Sequence, residues 1–385
     1  MSVSKDDLTS SAVPYNSLDM TIVATRFPYS VQQMESVIGS LRPNQSIPSQ
    51  SIPVWFTKPS SFLEEWSVVL NFVDLLMNGN YESLDSEDRL LLVVKYILMC
   101  CSQLPSSLFF SCVPFLGETF SCFVNCGSRR VSYIAEQCTV HPNTTAFYVE
   151  DDQKEFQING CMQPKVVFCG SSIRYALRGK VDIRHRCGDS FSFTLPTLLY
   201  SSLLHGTPEI QICGQCLLSS SLSCSARLEF IERSLLGGDA RTVRVLVFEK
   251  DRIVGRIQGR WDIGYELLRD SPQSSEEFLI VSRLKANRRF VLPEDLQGPT
   301  ESLVLWKVLR QEMIGGSNIE KAQSVLDMLE IKKKQWQKRI ERAPGYSPAS
   351  RNVFERVEGT TDYQFKKQLE EVSFLELSRK DHGCS

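Results

Sequence analysis

The sequence carries no surplus of charge. Its 43 Lys and Arg against 45 Asp and Glu leave a formal net charge of -2, so the broad basic surface that displaces counterions from nucleic acid is missing and any cationic patch must be local. Long apolar runs are missing too. The most apolar stretch, Leu90 to Cys101, is interrupted by Lys95 and is shorter than the roughly 20 residues of a membrane-crossing helix. The first 19 residues include Lys5, Asp6 and Asp7 and lack the apolar core and small-residue cleavage site of a secretory signal. Cysteine is plentiful, at 13 residues, but regular cysteine spacing is absent. Scattered and odd in number, the thiols do not fit a secreted disulfide framework, and a reducing compartment suits them better.

What is present is an ordinary globular composition, 42% hydrophobic and 23% charged over 385 positions, enough for a substantial core. Residues 1–30 have no clear period and many Ser and Thr, and read as a mobile leader. Residues 31–51 place Val31, Met34, Ile38 and Leu41 at helical spacing, a short amphipathic helix, and then turn to a Ser, Pro, Asn and Gln linker. Residues 52–385 read as one domain in three parts. Over 52–105 two helices are predicted, Ser61 to Met77 and Ser86 to Cys101, the second opening on Ser86-Glu87-Asp88 as N-cap and first turn. Over 110–292, chiefly Gly117 to Val291, short alternating runs such as Val243-Arg244-Val245-Leu246-Val247 are separated by Gly, Asp, Asn and Ser. Over 293–385 the pattern returns to helix from about Thr300 to Arg342, broken near Gly315-Gly316, before a tail with a turn signal at Tyr346-Ser347-Pro348. So long a strand-rich stretch, with no helix-length pattern between its strands, favours a barrel or strongly curled antiparallel sheet over a parallel α/β fold. The fold class is mainly β with flanking helices, α+β.

Three segments then fall in a fixed order. Pro114-Phe115-Leu116-Gly117-Glu118-Thr119 places a glycine where the chain turns into the sheet. Ala135-Glu136-Gln137-Cys138-Thr139-Val140-His141-Pro142-Asn143 follows, and Gly259-Arg260-Trp261 comes later. With Ile52 to Leu63 upstream, and Arg289 to Pro293, Glu301-Ser302 and Leu305-Trp306 downstream, this order resembles the oxysterol-binding protein-related family, whose signature reads Glu-Gln-Val-Ser-His-His-Pro-Pro. The resemblance covers most of the chain, from about Ser51 to Phe365. It implies an incomplete many-stranded antiparallel β-barrel enclosing an apolar tunnel, with an N-terminal lid at Val31, Met34, Ile38 and Leu41 and helices at both ends of the domain. It also implies extraction of one lipid at a time from membranes, since a closed tunnel removes the cost of exposing apolar surface to water, about 25 cal/mol per Å².

The resemblance further implies a lipid headgroup site, and here the sequence departs from its relatives. Phe110 stands where the family has a phosphate-binding Lys, Val113 where polar-headgroup binders have Asn, and Val140 where the first His of the pair belongs; His141 keeps the second. On the C-terminal helix, Leu326, Glu330 and Lys334 fall at the family's Lys, Glu and Arg positions. The candidate headgroup residues are therefore His141, Glu330 and Lys334, and the tunnel and motif residues are Pro114, Leu116, Gly117, Glu118, Glu136, Gln137 and Pro142. One imidazole cannot neutralise a phosphomonoester, so high-affinity phosphoinositide binding is not favoured. Lys332, Lys333, Lys334, Lys338, Arg339 and Arg342, near the expected tunnel mouth, suit either a solvated helix face or transient docking on an anionic membrane surface.

Other chemistries find little support. Cys138 and His141, three apart on a strand, point to opposite faces and make a poor nucleophile and base. Cys213 and Cys216 have zinc-like spacing without a second pair. No metal, cofactor or enzymatic activity is expected. The sequence reads as an intracellular lipid-binding and lipid-transfer protein carrying a sterol or another largely apolar lipid. It is expected to be monomeric, in the cytoplasm and peripherally at intracellular membranes or membrane contact sites, with a sterol or phospholipid ligand and no nucleic-acid partner. A non-transporting lipid sensor or scaffold that retains the fold is the alternative.

Overall fold

The computed structural model describes residues 12–15, 31–39, 52–77, 79–103, 110–203, 209–233, 241–269, 275–316, 318–347 and 352–366. The centre of the fold is one 15-stranded antiparallel sheet. The sheet begins at Val13–Pro14, passes through Arg289–Val291, and then follows the chain from Thr119–Cys126 to Ser275–Ile280. One strand lies off this path: Ser190–Thr194 pairs with Glu209–Ser220 and Ile173–His185. The two end strands do not pair with each other, so the sheet curls without closing, as an incomplete barrel should.

Alternation decides which face is inside. In Thr242–Glu249, Val243, Val245 and Val247 are buried and Arg244 is exposed, the period-two pattern of a half-buried strand. The buried side chains of the sheet meet a helix inside the curl, α3 (Ser86–Ser102). Leu90, Val93, Val94, Ile97 and Leu98 bury several sides of α3 at once, as a helix surrounded by core must. Its N-cap is Asp85, whose side chain accepts from the Asp88 N–H at 2.8 Å, one residue earlier than the predicted Ser86.

Two further expectations change. The predicted helix from Ser61 to Met77 forms only as α2 (Phe62–Trp66), followed by 3-10 turns at Ser67–Leu70 and Val73–Leu76. A capping box starts it: the Leu63 N–H donates to Ser61 Oγ, and the Glu64 carboxylate reaches back to the Ser61 N–H. Val68, Val69 and Asn71 are weak helix formers. Asn287 takes the Leu70 and Asn71 carbonyls at 3.3 and 2.7 Å, acceptors that a continuing helix would have needed. Residues 12–15, read as leader, pair Val13–Pro14 with Arg289–Val291. Tyr15 then anchors them, its hydroxyl donating to Glu64 Oε2 at 2.8 Å; a segment this short shows no period.

Helix α1 (Val31–Gly39) forms where the amphipathic stripe predicts it. Val31, Met34 and Ile38 fall on it, while Leu41 lies outside the described residues. Beyond the sheet the C-terminal helices are α4 (Ser302–Leu305), α5 (Lys307–Gly315) and α6 (Ile319–Glu341). They pack on Phe115 through Trp306, Leu309, Met313, Leu326 and Leu329. The tail adds a hairpin, Phe354–Arg356 with Tyr363–Phe365, which covers Ile134, Cys138, Ala146, Tyr148 and Cys161 on the outer face of the sheet.

Candidate functional site

At one end of the sheet the chain leaves a cavity of about 420 Å³ between the strand ends, the segment 110–114 and α6. Its walls are mostly apolar, with Phe62, Phe110, Val113, Val140, Val166 and Tyr175 among them. Phe62, Phe110, Ser111 and Tyr175 also line a smaller inner lobe of about 40 Å³, reaching Trp66, Leu198 and Tyr200. Trp66, at the wall of this lobe, stacks on Phe147 with centroids 6.2 Å apart, and Phe147 in turn lies against Tyr133 at 5.6 Å. The volume of the larger cavity falls in the range of small-molecule sites, about 300–1,000 Å³.

Pro114, His141 and Lys334 line this cavity together, as do Asn143, Lys333 and Gln337. His141 and Lys334 are exposed at its rim. Glu330 acts at one remove. Its Oε1 lies 2.6 Å from Lys333 Nζ, and the two side chains are only 13% and 12% exposed. Lys333 also donates to the Val113 carbonyl at 3.2 Å. The cation inside the site is therefore Lys333, one residue from the position the family alignment indicated. Helical periodicity would have found it, because Leu326, Leu329 and Lys333 share one face and the first two are buried. Leu326 itself belongs to the helix core rather than to a headgroup site.

The remaining motif residues build a joint beside the cavity. Glu118 and Gln137 face each other across adjacent strands, with the Gln137 N–H donating to the Glu118 carbonyl at 2.9 Å and the Gly117 N–H to the Gln137 carbonyl at 3.0 Å. Gly117, with φ +75°, occupies the left-handed region that a side chain would strain. The Glu118 carboxylate is 1% exposed. It accepts from the Phe115 N–H at 2.8 Å, Ser302 Oγ at 2.6 Å and Trp306 Nε1 at 3.1 Å, fastening α4 to the sheet. Burial raises its pKa to about 7, against the lowering effect of those donors. Leu116 is buried, and its carbonyl accepts from Trp336 Nε1 of α6 at 2.9 Å.

Glu136 is fully buried, and its two oxygens accept the Asn352 and Val353 N–H groups at 3.1 and 2.9 Å. Gln137 holds the loop that carries His141: Nε2 donates to the Thr139 carbonyl at 2.7 Å and to Asn143 Oδ1 at 2.6 Å, and Oε1 accepts from Thr145 Oγ1 at 2.8 Å. The Pro142 carbonyl closes this loop by accepting from Thr139 Oγ1 and Thr144 Oγ1 at 2.6 and 3.1 Å. The signature thus contributes fasteners more than ligand contacts. Cys138 is buried on the outer face while His141 is exposed at the cavity rim. Cys216 is in the main core, whereas Cys213 Sγ accepts from Arg174 on another side of the strand at 3.9 Å. Among the described residues no group of His, Cys, Asp or Glu has the geometry to hold a metal.

The chain and its fold are similar to known proteins. The oxysterol-binding protein family model matches residues 36–318. Human oxysterol-binding protein-related protein 5 is 25% identical over 324 residues, covering 82% of this chain and 37% of that protein. Oxysterol-binding protein 12 of Dictyostelium discoideum is 24% identical over 75% of this chain and 81% of its own length. The chain spans about a third of the length of the human and mouse relatives it matches. Among solved structures, the Osh1 ORD domain in complex with ergosterol superposes with a TM-score of 0.70 at 18% identity, covering 90% of this chain and 88% of that one. The Osh3 ORD in complex with PI(4)P from Saccharomyces cerevisiae gives 0.65 at 17% identity, covering 92% and 94%. These structural likenesses fix the fold, and the family match spans most of the sheet, the strand side of the cavity and the Glu118 joint, ending just before α6. The chain is a divergent member of the oxysterol-binding protein family, a lipid-binding domain and not an enzyme.

Proposed function

We propose that this protein carries a sterol or another largely apolar lipid between intracellular membranes, one molecule at a time. The observation that supports this most is the chemistry of the cavity. Phe62, Phe110, Val113, Val140 and Tyr175 present apolar surface to the space, and Lys333, a largely buried cation in its lining, is already paired with Glu330. Such a wall rewards burial of hydrocarbon and offers little to a doubly charged phosphate, which needs several converging donors. Phosphoinositide binding is accordingly not favoured. The phenols of Tyr175 and Tyr200 in the inner lobe supply polar points at which a lipid hydroxyl could be read.

Membrane contact follows from α6. Met328 and Ile331 are 52% and 57% exposed on its outer side. Lys332, Lys334, Lys338, Arg339 and Arg342 are exposed around them, a pattern suited to an anionic headgroup layer at about 1 kcal/mol per cation near the surface. The attachment proposed is peripheral, on the cytoplasmic side and by a monomer; among the described residues no helix is long and apolar enough to cross a membrane. In this reading α1 serves as the lid, with Val31, Met34, Ile38 and Leu41 as its apolar stripe, and residues 52–385 act as one lipid-binding domain.

A second reading, a sensor or scaffold that binds lipid without moving it, is favoured by the apolar Phe110, Val113 and Val140 that line the cavity where the family resemblance implies headgroup contacts. The two are separated by incubating the protein with liposomes containing sterol or single phospholipids, and then adding acceptor liposomes. Stoichiometric extraction followed by delivery is expected. Extraction without delivery favours the sensor, and the absence of uptake of any lipid removes both.

A further inference from the structure

We propose that the C-terminal hairpin is a brace that positions the wall of the lipid cavity from the opposite face of the sheet. The hairpin, Phe354–Arg356 with Tyr363–Phe365, contributes no residue to the cavity lining among the described residues. Its grip on the sheet is nevertheless extensive. Phe365 stacks on Tyr148 with ring centroids 4.2 Å apart and planes within 4°, and Val353, Phe354, Tyr363 and Phe365 bury Ile134 and Cys138 in one apolar cluster.

The centre of that grip is Glu136. Its carboxylate is fully buried, and it receives the two backbone N–H groups of Asn352 and Val353. Removing the hairpin would take these donors from a buried carboxylate, which is strongly unfavourable, so the strand and the hairpin hold each other in one geometry.

The next residue carries that geometry to the cavity. Side chains alternate along a strand: Ile134 and Cys138 belong to the outer cluster, and Tyr133 and Ala135 to the inner core. Gln137 therefore points away from the hairpin, and its carboxamide ties together Thr139, Asn143 and Thr145. Val140, His141 and Asn143 of the loop so tied line the cavity. A shift of the strand at Glu136 moves Gln137 with it, and the loop follows. Glu136 and the hairpin are thus positioning elements for a site they do not touch.

Hydrogen exchange of the lipid-free full chain tests this in two variants, Glu136→Gln, which replaces one acceptor oxygen by a donor, and Phe365→Ala, which weakens the hairpin and leaves Glu136 intact. In both, amides over 137–146 should exchange about tenfold faster than in the parent, while the distant strands over 242–260 keep their protection. Protection over 137–146 equal to the parent's, with the hairpin itself exchanging freely, would overturn the brace. If Glu136→Gln loses protection throughout, the Phe365→Ala result alone decides. A second arm rests on the lipid-carrier reading: preloaded sterol should leave both variants several-fold faster. A parent that takes up no lipid defeats that reading, while the exchange data still decide the brace.

Discussion

His185 lies at the end of the sheet remote from the cavity, its ring 4.0 Å from that of Tyr81 and nearly parallel to it. Around it stand Asp151, Glu155, Asp189 and Arg89, and its Nε2 is buried without a hydrogen-bond partner. Burial lowers its pKa to about 4, outweighing the three carboxylates. The unfolded imidazole titrates near 6.5, so the unfolded chain takes up a proton that the native protein refuses. Its contribution to stability is complete above pH 6.5 and is lost as pH falls toward 4, by about 2–3 kcal/mol. Glu118 works in the opposite sense: its carboxyl is raised to about 7, so the stability it contributes is complete below about pH 4.5 and is lost as pH rises through 7. Urea unfolding between pH 4 and 8 resolves the two. His185→Phe, which keeps a ring against Tyr81, should flatten the acid side. Glu118→Gln should flatten the side near neutrality and lower overall stability by about 2 kcal/mol, because a carboxamide supplies one acceptor where several donors converge. An acid limb unchanged in His185→Phe would clear His185 of that role.

Helix α6 shows how one element divides its work by face. Leu326 and Leu329 seat it on the core, Lys333 and Trp336 reach the Val113 and Leu116 carbonyls, and Met328 and Ile331 face outward. Neighbouring lysines should therefore behave differently. Lys333→Ala leaves the largely buried Glu330 carboxylate without its 2.6 Å partner and should cost about 1–3 kcal/mol, whereas exposed Lys334→Ala should stay within about 0.5 kcal/mol. Chemical denaturation of both, with Glu330→Gln completing a double-mutant cycle, measures the coupling. Equal effects of the two lysines would mean that the pair contributes nothing. The existence of α6, its break near Gly316 and its buried stripe were legible in the sequence, because period and glycine act locally. The inward lysine was legible in that same period but not in the motif alignment, which carries an uncertainty of a residue while a helix turns 100° per residue. The same limit explains α2. Apolar spacing after Ser61 suggested a long helix, but the carbonyls that ended it were claimed by Asn287, more than 200 residues away.

Across the whole molecule, alternation along the strands and the order of the motifs made the curled sheet legible, whereas the depth of its interior depends on contacts between strands. Gly160 is the clearest case. A Cβ there would lie 2.1 Å from the ring of Phe147, which also packs against Tyr133 and against Trp66, a wall of the cavity's smaller lobe. The glycine lets the Phe147 ring lie flat against the sheet, and that placement leaves Trp66 room to bound an open space. Gly160→Ala should push Phe147 toward Trp66, an overpacking that costs about 1–3 kcal/mol and shrinks the lobe. Lipid uptake should fall while the sheet persists, as read by thermal unfolding and liposome extraction on the same preparation. Trp66→Leu, which gives the displaced ring space, should restore part of the uptake when combined with Gly160→Ala. Full uptake by the single variant would place the ligand entirely in the larger cavity, between Phe110, Val140 and Lys333, and would assign the packing of Phe147 on Trp66 a purely structural role.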